Sequence, residues 1–344
     1  MFEDLDKDVG MEKMNELLLK EIGVVIIGRN EGERLVTCIK SAQNDVSHIV
    51  YVDSGSMDAS LAEAKNLSVD TVELDMSIPF TAARARNEGA EYLIASYPFL
   101  KYIQFVDGDC EVQPSWLSKA YDFLTTKTDY AIACGRRRER YPGHSIYNQL
   151  CDLEWNSAIG EANSCGGDAL IRIEAFQKVN GFDASLIAGE EPEMCFRLRE
   201  IGWKIRRLGE EMTLHDAAMS TIGQWWNRAK RSGYAYAEGC SLHGKSPEQY
   251  RVRQVLSILF WAGLLPVIIL MSGICDSRLF FLCLLYPLQL LKLTLSYASQ
   301  LNSSKIAYYY AVSNLGSKLP QFSGMMRFVL NKLKGRRGTL IEYK

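Results

Sequence analysis

Two carboxylates, Asp107 and Asp109, stand on either side of Gly108, directly after the apolar and uncharged run from Tyr102 to Val106. Such a run is typical of a strand that is buried on both faces of an α/β sheet. Ligands bind at the carboxyl ends of parallel strands, and paired carboxylates there suit a hard divalent cation that also holds a diphosphate. The alternative is a solvated turn, because Asp-Gly-Asp is favourable turn sequence anywhere. The pattern alone leaves both interpretations open.

The overall composition limits the class of protein. A chain of 344 residues can bury a full hydrophobic core and hold more than one structural unit. Lys plus Arg number 39 and Asp plus Glu number 41, so the net charge of -2 argues against general nucleic-acid binding. The nine cysteines are scattered without a C-x-x-C pair, which favours reduced thiols over structural zinc or a disulfide framework. The acidic N-terminus has no apolar run behind a basic start, so a cleaved secretion signal is not expected.

Short apolar segments alternate with helical patterns along the first part of the chain. The predicted strands cover 23–28, 48–52, 71–74, 102–106 and 130–134, and helices are predicted over 33–42, up to about 66, over 81–96 and over 114–126. This alternation predicts an α/β fold with a mostly parallel, doubly wound, Rossmann-like sheet.

The composition changes sharply near residue 255. Val255 to Cys275 is 21 residues without a charge, and as a helix it would span roughly 31 Å, enough to cross a hydrocarbon core. A second apolar segment, Leu279 to Ala298, follows a short polar connection. Basic residues flank the outer ends of this pair, which by the positive-inside rule predicts that both ends are cytoplasmic. A buried core helix is the alternative for the first segment. The aromatic and basic stretch after residue 305 suits interfacial helices.

Six short motifs follow one another in order: VVIIGRNEGE after the first strand, VDSGSMD after the second, ARARNEGA in the third helix, then FVDGD, GGDALIR and GEEPE. Together they resemble the family 2 glycosyltransferases, inverting nucleotide-sugar enzymes of the GT-A fold. The resemblance runs from about Gly23 to Gly239. The expected organisation is a polar lead-in (1–20), a GT-A catalytic domain (21–240), a hairpin of two transmembrane helices (251–298) and a basic, membrane-interfacial tail (299–344).

The resemblance assigns roles to residues of these motifs. The turn after the first strand and the carboxylate after the second would hold the nucleotide base and ribose, since a carboxylate accepts hydrogen bonds from a base N–H. Asp107 would contact the ribose or metal-bound water. Asp109 would ligate Mn²⁺ or Mg²⁺ between the two phosphates, and His215 is a candidate for a further ligand. The expected nucleotide-sugar-binding residues are Asn30, Glu31, Asp53, Arg86, Asn87, Asp107, Gly167, Asp168 and Arg228.

An inverting transfer also needs a base that removes the proton from the acceptor hydroxyl. The family places Glu-Asp at the start of a helix for this purpose, and here the pair is Glu190-Glu191, one methylene longer at its second position. We expect Glu191 to be the base and Glu190 to orient it, although acidic residues are also common at helix N-termini. The Gln-x-x-Arg-Trp motif of processive members is rearranged here between Gln224 and Arg228. A cation on the diphosphate is still possible there, but processive synthesis is not expected.

The expected activity is transfer of one sugar from a nucleoside-diphosphate donor, a UDP-sugar by default, to a hydroxyl of a lipid-linked or cell-surface polysaccharide acceptor. The enzyme would act at the cytoplasmic face of the cell membrane. One alternative is a polyprenyl-phosphate sugar synthase, whose phosphate acceptor needs no deprotonation. Another is an inactive membrane scaffold, against which the intact DGD and GEE motifs argue. A transporter is disfavoured, because two spans with little intramembrane polarity form no pathway.

Overall fold

A computed structural model describes residues 19–336, 338, 339 and 341 of the chain. The lead-in predicted over 1–20 therefore lies almost entirely outside the described residues. The chain divides into two compact units, one ending at Ala218 and the other beginning at Met219. The catalytic-domain boundary that the sequence suggested at residue 240 stays a prediction, and the helix before it groups with the second unit.

The described part of the first unit, from residue 19, contains a nine-stranded sheet and seven α-helices. The strands are β1 (Ile22–Gly28), β2 (His48–Asp53), β3 (Asp70–Glu73), β4 (Tyr102–Asp107), β5 (Cys110–Val112), β6 (Tyr130–Glu139), β7 (Gly160–Glu161), β8 (Ala169–Arg172) and β9 (Lys204–His215). The helices are α1 (Glu33–Gln43), α2 (Ser60–Asn66), α3 (Ala82–Ser96), α4 (Trp116–Thr126), α5 (Ile146–Trp155), α6 (Ile173–Lys178) and α7 (Glu190–Glu200).

The strand order across the sheet is β3-β2-β1-β4-β8-β6-β9-β5, with β7 paired to β9. Strands β1 to β4 run parallel to one another, as do β6 and β9. Strand β8 lies antiparallel between β4 and β6, which the sequence did not indicate. The mostly parallel α/β sheet of the prediction is confirmed. Because β1 and β4 are buried along nearly their whole length, they read as continuous apolar runs rather than alternating ones.

Strand β6 extends five residues beyond its predicted end at Cys134 and includes the basic run Arg136–Arg138. Register shifts between β6 and β9 fall on both sides of Arg136, as expected for bulges that redirect side chains. Charged residues can occupy this strand because each guanidinium has a carboxylate partner. The partners are Asp152 for Arg136, Asp107 and Asp168 for Arg137, and Glu211 for Arg138.

The described part of the second unit is helical. Its helices are α8 (Ile222–His243), α9 (Val252–Ile258), a π-helical turn (Leu259–Leu264), α10 (Leu265–Cys275), a 3₁₀ segment (Ser277–Leu284), α11 (Leu285–Ala298), α12 (Ser304–Gly316) and α13 (Lys318–Leu333). Helices α8 and α13 approach each other at two glycines. A Cβ on Gly233 would lie 2.0 Å from the carbonyl oxygen of Gln321, and one on Gly324 would lie 1.9 Å from that of Lys230. Only glycine leaves room for this backbone contact.

Two stretches of this unit are long and apolar enough to cross a membrane, judged by length and composition. They are Val252–Cys275, with 24 residues and a mean hydropathy of 2.4, and Ser277–Ala298, with 22 residues and a mean hydropathy of 1.7. Tyr286 donates a 2.7 Å hydrogen bond to the carbonyl oxygen of Trp261 and so connects the two stretches. A core helix would be mostly buried. Here the apolar 18-residue segment is only 17% buried in the first stretch and 0% buried in the second. The low burial argues against the core-helix alternative.

Candidate active site

Asp107 ends strand β4 and is held between two guanidinium groups. Its Oδ1 accepts a 2.8 Å hydrogen bond from Nη2 of Arg86, and its Oδ2 accepts a 2.7 Å bond from Nη2 of Arg137. Burial alone would raise the pKa of Asp107, but the charges of Arg86 and Arg137 outweigh it and hold the pKa below its ordinary range. The carboxylate is therefore ionised and fixed in orientation at the end of the strand.

Asp168 accepts hydrogen bonds from Arg137 and from the backbone of Asp107, and so stabilises their arrangement. Its carboxylate accepts two 2.8 Å bonds from Arg137 and a 2.6 Å bond from the hydroxyl of Thr213. The backbone N–H of Asp107 donates to the same group over 3.2 Å. Asp168 is 0% exposed, so the geometry gives it a positioning role behind Asp107 and Arg137. Its predicted contact with the donor stays a prediction.

The backbone of Gly167 lies against the charged groups of Asp107, Arg86 and Arg137. A Cβ at this position would lie 3.0 Å from Oδ2 of Asp107, 3.2 Å from Nη2 of Arg86 and 3.3 Å from Nη2 of Arg137. These distances are tighter than ordinary carbon contacts, so a side chain here would press on all three groups. The glycine predicted from the GGDALIR motif thus lies beside Asp107, where close approach of the backbone is needed.

Asp107, Asp109, Cys110 and His215 form a group that could hold a metal ion. One ligand atom from each lies within 4.8 Å of the others. The pairing of β5 with β9 places His215 opposite Cys110, which brings its Nε2 to 3.4 Å from Oδ1 of Asp109. Two carboxylates and an imidazole are a donor set that suits Mn²⁺. The structure therefore brings together the two metal ligands expected from the sequence.

Two further side chains, those of Trp155 and Glu139, lie close to His215. The ring of Trp155 meets the imidazole edge-on at 4.7 Å and also lies beneath the guanidinium of Arg137, 5.5 Å from its carbon. Oε2 of Glu139 lies 4.0 Å from Nδ1 of His215. A carboxylate near the non-ligating nitrogen is the usual way of orienting a metal-binding histidine. Trp155 and Glu139 could not be recognised from the sequence, since neither lies in a motif.

Glu190 and Glu191 begin helix α7, as predicted, after Gly189 in a left-handed conformation with φ 80°. Oε1 of Glu190 accepts a 2.8 Å bond from Nη1 of Arg86. Arg86 is therefore a bridge between Asp107 and Glu190. Burial would lower the pKa of Arg86, but these two carboxylates raise it above its ordinary value. The bridge remains charged and connects the metal group to the acidic pair.

Glu191 has different partners from its neighbour. Its Oε1 accepts a 2.5 Å hydrogen bond from the backbone N–H of Cys165 and a 3.0 Å bond from the thiol of Cys195. Cys165 belongs to the loop before β8, so this loop and helix α7 both fix the carboxylate. The role of catalytic base stays a prediction for Glu191.

The residues expected to bind the nucleotide fasten two neighbouring loops. Asp53 accepts bonds from the backbone N–H groups of Gly55 and Ser56 and from the hydroxyl of Tyr51, all at 2.9–3.0 Å. Oδ1 of Asn30 accepts a 2.7 Å bond from the N–H of Met57, which joins the loop after β1 to the loop after β2. Both loops leave the carboxyl edge of the sheet, as a nucleotide site requires.

The remaining predicted nucleotide-binding residues of these elements, Glu31, Asn87 and Arg228, differ in their contacts. Glu31 forms a 2.8 Å ion pair with Arg34, and its Cγ lies 3.2 Å from where a Cβ on Gly108 would be. Asn87 uses both ends of its amide on the backbone of Phe182, at 2.7 and 2.9 Å. It therefore fastens helix α3 to the loop before α7. Arg228 lies on helix α8 in the second unit, and its contact with a diphosphate stays a prediction.

Arg137 is the main functional candidate that the sequence underestimated. In the sequence, Arg136–Arg138 is only a basic run beyond the predicted strand and outside the six motifs. The structure places the middle residue inside the site, where it bonds both Asp107 and Asp168. The alternation of side chains along a strand could have shown that one of the three arginines points the opposite way from its neighbours.

Comparison with known proteins identifies the family. The model of glycosyl transferase family 2 matches residues 23–178, and the model of glycosyl transferase family group 2 matches residues 102–299. The second match covers more than half of the chain, and the chain belongs to glycosyltransferase family 2. It is accordingly a glycosyltransferase.

Two solved glycosyltransferase structures are similar to this chain. The mannosyltransferase PcManGT from Pyrobaculum calidifontis, in complex with GDP-Man and Mn²⁺, is 18% identical, with a TM-score of 0.56 over 86% of this chain and 87% of that one. The glucosyl-3-phosphoglycerate synthase from Mycobacterium tuberculosis, in complex with phosphoglyceric acid, is 16% identical, with a TM-score of 0.45 over 65% and 80% of the two chains. The likeness to PcManGT shows the GT-A fold. No match was found among curated proteins.

Proposed function

We propose that this chain is a metal-dependent inverting transferase. It moves one sugar from a nucleoside-diphosphate donor to a hydroxyl of a lipid-linked or cell-surface polysaccharide acceptor. The observation that carries the proposal is the bridge through Arg86, which connects the metal group at Asp107 to the acidic pair at Glu190. An inverting transfer needs both parts, one at the leaving diphosphate and one at the attacking hydroxyl.

The donor half of the site is supported by the donor set itself. Asp109 and His215 would hold Mn²⁺ or Mg²⁺, and the ion would offset the negative charge on the departing diphosphate. Asp107, fixed by Arg86 and Arg137, would orient the ribose or a water beside the ion. PcManGT was solved with GDP-Man and Mn²⁺, so GDP-mannose belongs in a donor screen beside the UDP-sugars that we take as the default.

The acceptor half rests on Glu191. Its carboxylate would accept the proton of the acceptor hydroxyl, and Glu190 would position it from the neighbouring turn while paired with Arg86. Because the N–H of Cys165 now occupies Oε1 of Glu191, the acceptor hydroxyl would use the other carboxylate oxygen or displace this loop. The loop before β8 is thus proposed to contact the acceptor.

A membrane location is supported by the two apolar helical stretches. We place the catalytic domain at the cytoplasmic face of the cell membrane, since the outer ends of both stretches carry basic residues. The second unit also contains a groove in which cations surround apolar side chains. Its lining includes Lys230, Arg327, Lys334, Arg336, Phe322, Met326 and Leu330. This combination suits a lipid that carries a phosphate.

The same groove supports a second candidate, a polyprenyl-phosphate sugar synthase. In that reaction the lipid phosphate itself attacks the donor, so no base is required. Activity that survives Glu191→Gln would identify this alternative.

The experiment is a donor screen on the full-length protein in detergent, with release of nucleoside diphosphate as the readout. We expect one donor to be turned over only with Mn²⁺ or Mg²⁺ and to be turned over faster with lipid-linked acceptors. If no nucleotide sugar is bound or hydrolysed under any metal condition, the enzymatic proposal fails and the scaffold alternative stands.

A further inference from the structure

A second group of potential metal ligands lies at the start of helix α7. The sulfur atoms of Cys165 and Cys195 are 3.7 Å apart, and Oε1 of Glu191 lies 3.0 Å from the sulfur of Cys195. One ligand atom from each of the three residues lies within 4.8 Å of the others. This group shares no residue with the one formed by Asp107, Asp109, Cys110 and His215.

The distances fit a tetrahedral ion. With Zn–S bonds of about 2.3 Å, two sulfur ligands of tetrahedral zinc lie about 3.8 Å apart, close to the observed 3.7 Å. Glu191 and Cys195 are four residues apart on one helix, so they project from the same face. The separation from Oε1 of Glu191 to Cys195 has to lengthen by only about half an ångström for a zinc-bound oxygen and sulfur.

The loop that carries Cys165 is open to solvent on both sides of it, since Ser164 and Gly166 are exposed. Cysteine binds a metal ion as the thiolate, so each thiol would lose its proton on coordination.

We propose that Cys165, Cys195 and Glu191 bind a thiophilic divalent ion such as Zn²⁺, and that the bound ion inhibits sugar transfer by holding the carboxylate of Glu191. Thiolate ligands select against Mg²⁺ and Mn²⁺, which prefer oxygen. The ion that supports transfer and the ion that inhibits it would therefore occupy different sites. The inhibitory part rests on the proposed role of Glu191 as base, whereas the binding part does not.

The binding test uses Co²⁺ as a spectroscopic probe on the full-length, reduced protein in detergent. We expect a near-ultraviolet thiolate-to-cobalt band that Zn²⁺ removes and excess Mg²⁺ does not. Cys165→Ser and Cys195→Ser should each weaken Co²⁺ binding by at least roughly tenfold. Cys240→Ser is the matched control, because this thiol belongs to helix α8 in the second unit. Absence of the band in the parent protein, or its persistence in both serine variants, would overturn the site.

The inhibition test measures nucleoside diphosphate release with Mn²⁺ or Mg²⁺ present and Zn²⁺ added. Cys165→Ser should need at least roughly tenfold more Zn²⁺ for half inhibition than the parent or Cys240→Ser. Equal sensitivity in all three would mean that Zn²⁺ acts by replacing the ion at Asp109, and the inhibitory role would be wrong. If Glu191→Gln is fully active while the Co²⁺ band is present, the base assignment fails and the metal site stands.

Discussion

Arg86 donates from Nη1 to Oε1 of Glu190 over 2.8 Å, and the two side chains are only 5% and 11% exposed. The remaining terminal nitrogen of the same guanidinium bonds Asp107 at 2.8 Å. One planar group therefore fixes two carboxylates that come from residues 83 positions apart in the chain. A lysine offers a single point of charge and cannot reproduce this two-sided arrangement.

We predict that Arg86→Lys lowers kcat at least roughly tenfold and reduces stability. Breaking a buried ion pair leaves an unpaired charge and costs about 3–5 kcal/mol of unfolding free energy. Lysine keeps the positive charge and should recover only part of this free energy. Tm is therefore expected to fall measurably in thermal unfolding.

The control for this variant is Arg138→Lys. Arg138 pairs with Glu211, and both side chains are nearly half exposed, so the change should cost less than about 1 kcal/mol. Equal losses of Tm in the two variants would mean that the buried bridge has no special importance.

The second prediction concerns the metal group. Activity should disappear in EDTA and return with Mn²⁺ or Mg²⁺, and Asp109→Ala should abolish donor turnover. His215→Ala should instead raise the metal concentration needed for half-maximal activity, because two carboxylates remain.

Asp129→Asn is a suitable control for the carboxylate substitutions, because Asp129 is an exposed partner of Lys204 away from the group. Its metal dependence should match that of the parent protein. Full activity in the presence of chelator would exclude a metal-dependent transfer.

The sequence predicted the parts of the fold that follow from local periodicity and from motif order. The buried strands β1 and β4 and the helix that begins with Glu190 agree with expectation. Asp109 and His215 lie close together, and their role as metal ligands stays a prediction. Strand β6 begins where predicted but continues past Cys134, because three consecutive arginines do not look like strand residues until their partners are known. Likewise, Cys165 and Cys195 are 30 positions apart, and only the packing of the loop before β8 against α7 brings their sulfur atoms together.

A third prediction tests the glycine contact between α8 and α13. Gly233→Ala should lower Tm in detergent, since the added methyl would collide with the backbone at Gln321 and overpacking typically costs about 1–3 kcal/mol. Gly223→Ala, in the same helix, is the control because a Cβ there meets only an atom 3.9 Å away. It should be neutral or slightly stabilising, as alanine favours helix. A neutral result at Gly233 would contradict the close contact.

A fourth prediction concerns the membrane. The protein should stay with the membrane fraction after high-salt and alkaline washes, because both apolar stretches would be embedded in lipid. A reporter fused after Lys344 should indicate the cytoplasm. Release by salt alone would mean peripheral attachment, and an external reporter would mean that only one stretch crosses the membrane.

The final prediction separates the two glutamates. Glu191→Gln retains size and hydrogen bonding but cannot accept a proton, and a general base typically contributes ~10²–10⁴-fold to the rate. We expect kcat to fall by at least roughly a hundredfold with donor affinity nearly unchanged, since the donor would be held by Asp53, Arg86 and the metal group.

Glu190→Gln is the matched comparison. It keeps a hydrogen-bond acceptor for Arg86 but removes the charge of the ion pair, so it should reduce kcat less than Glu191→Gln. Stopped-flow kinetics together with a measured donor Kd would separate the effect on catalysis from the effect on donor binding. The reverse ranking would assign the base to Glu190, which is joined to Asp107 through Arg86. If neither variant loses activity, the hydroxyl mechanism is wrong, because a lipid phosphate that is already ionised at neutral pH needs no base to attack the donor.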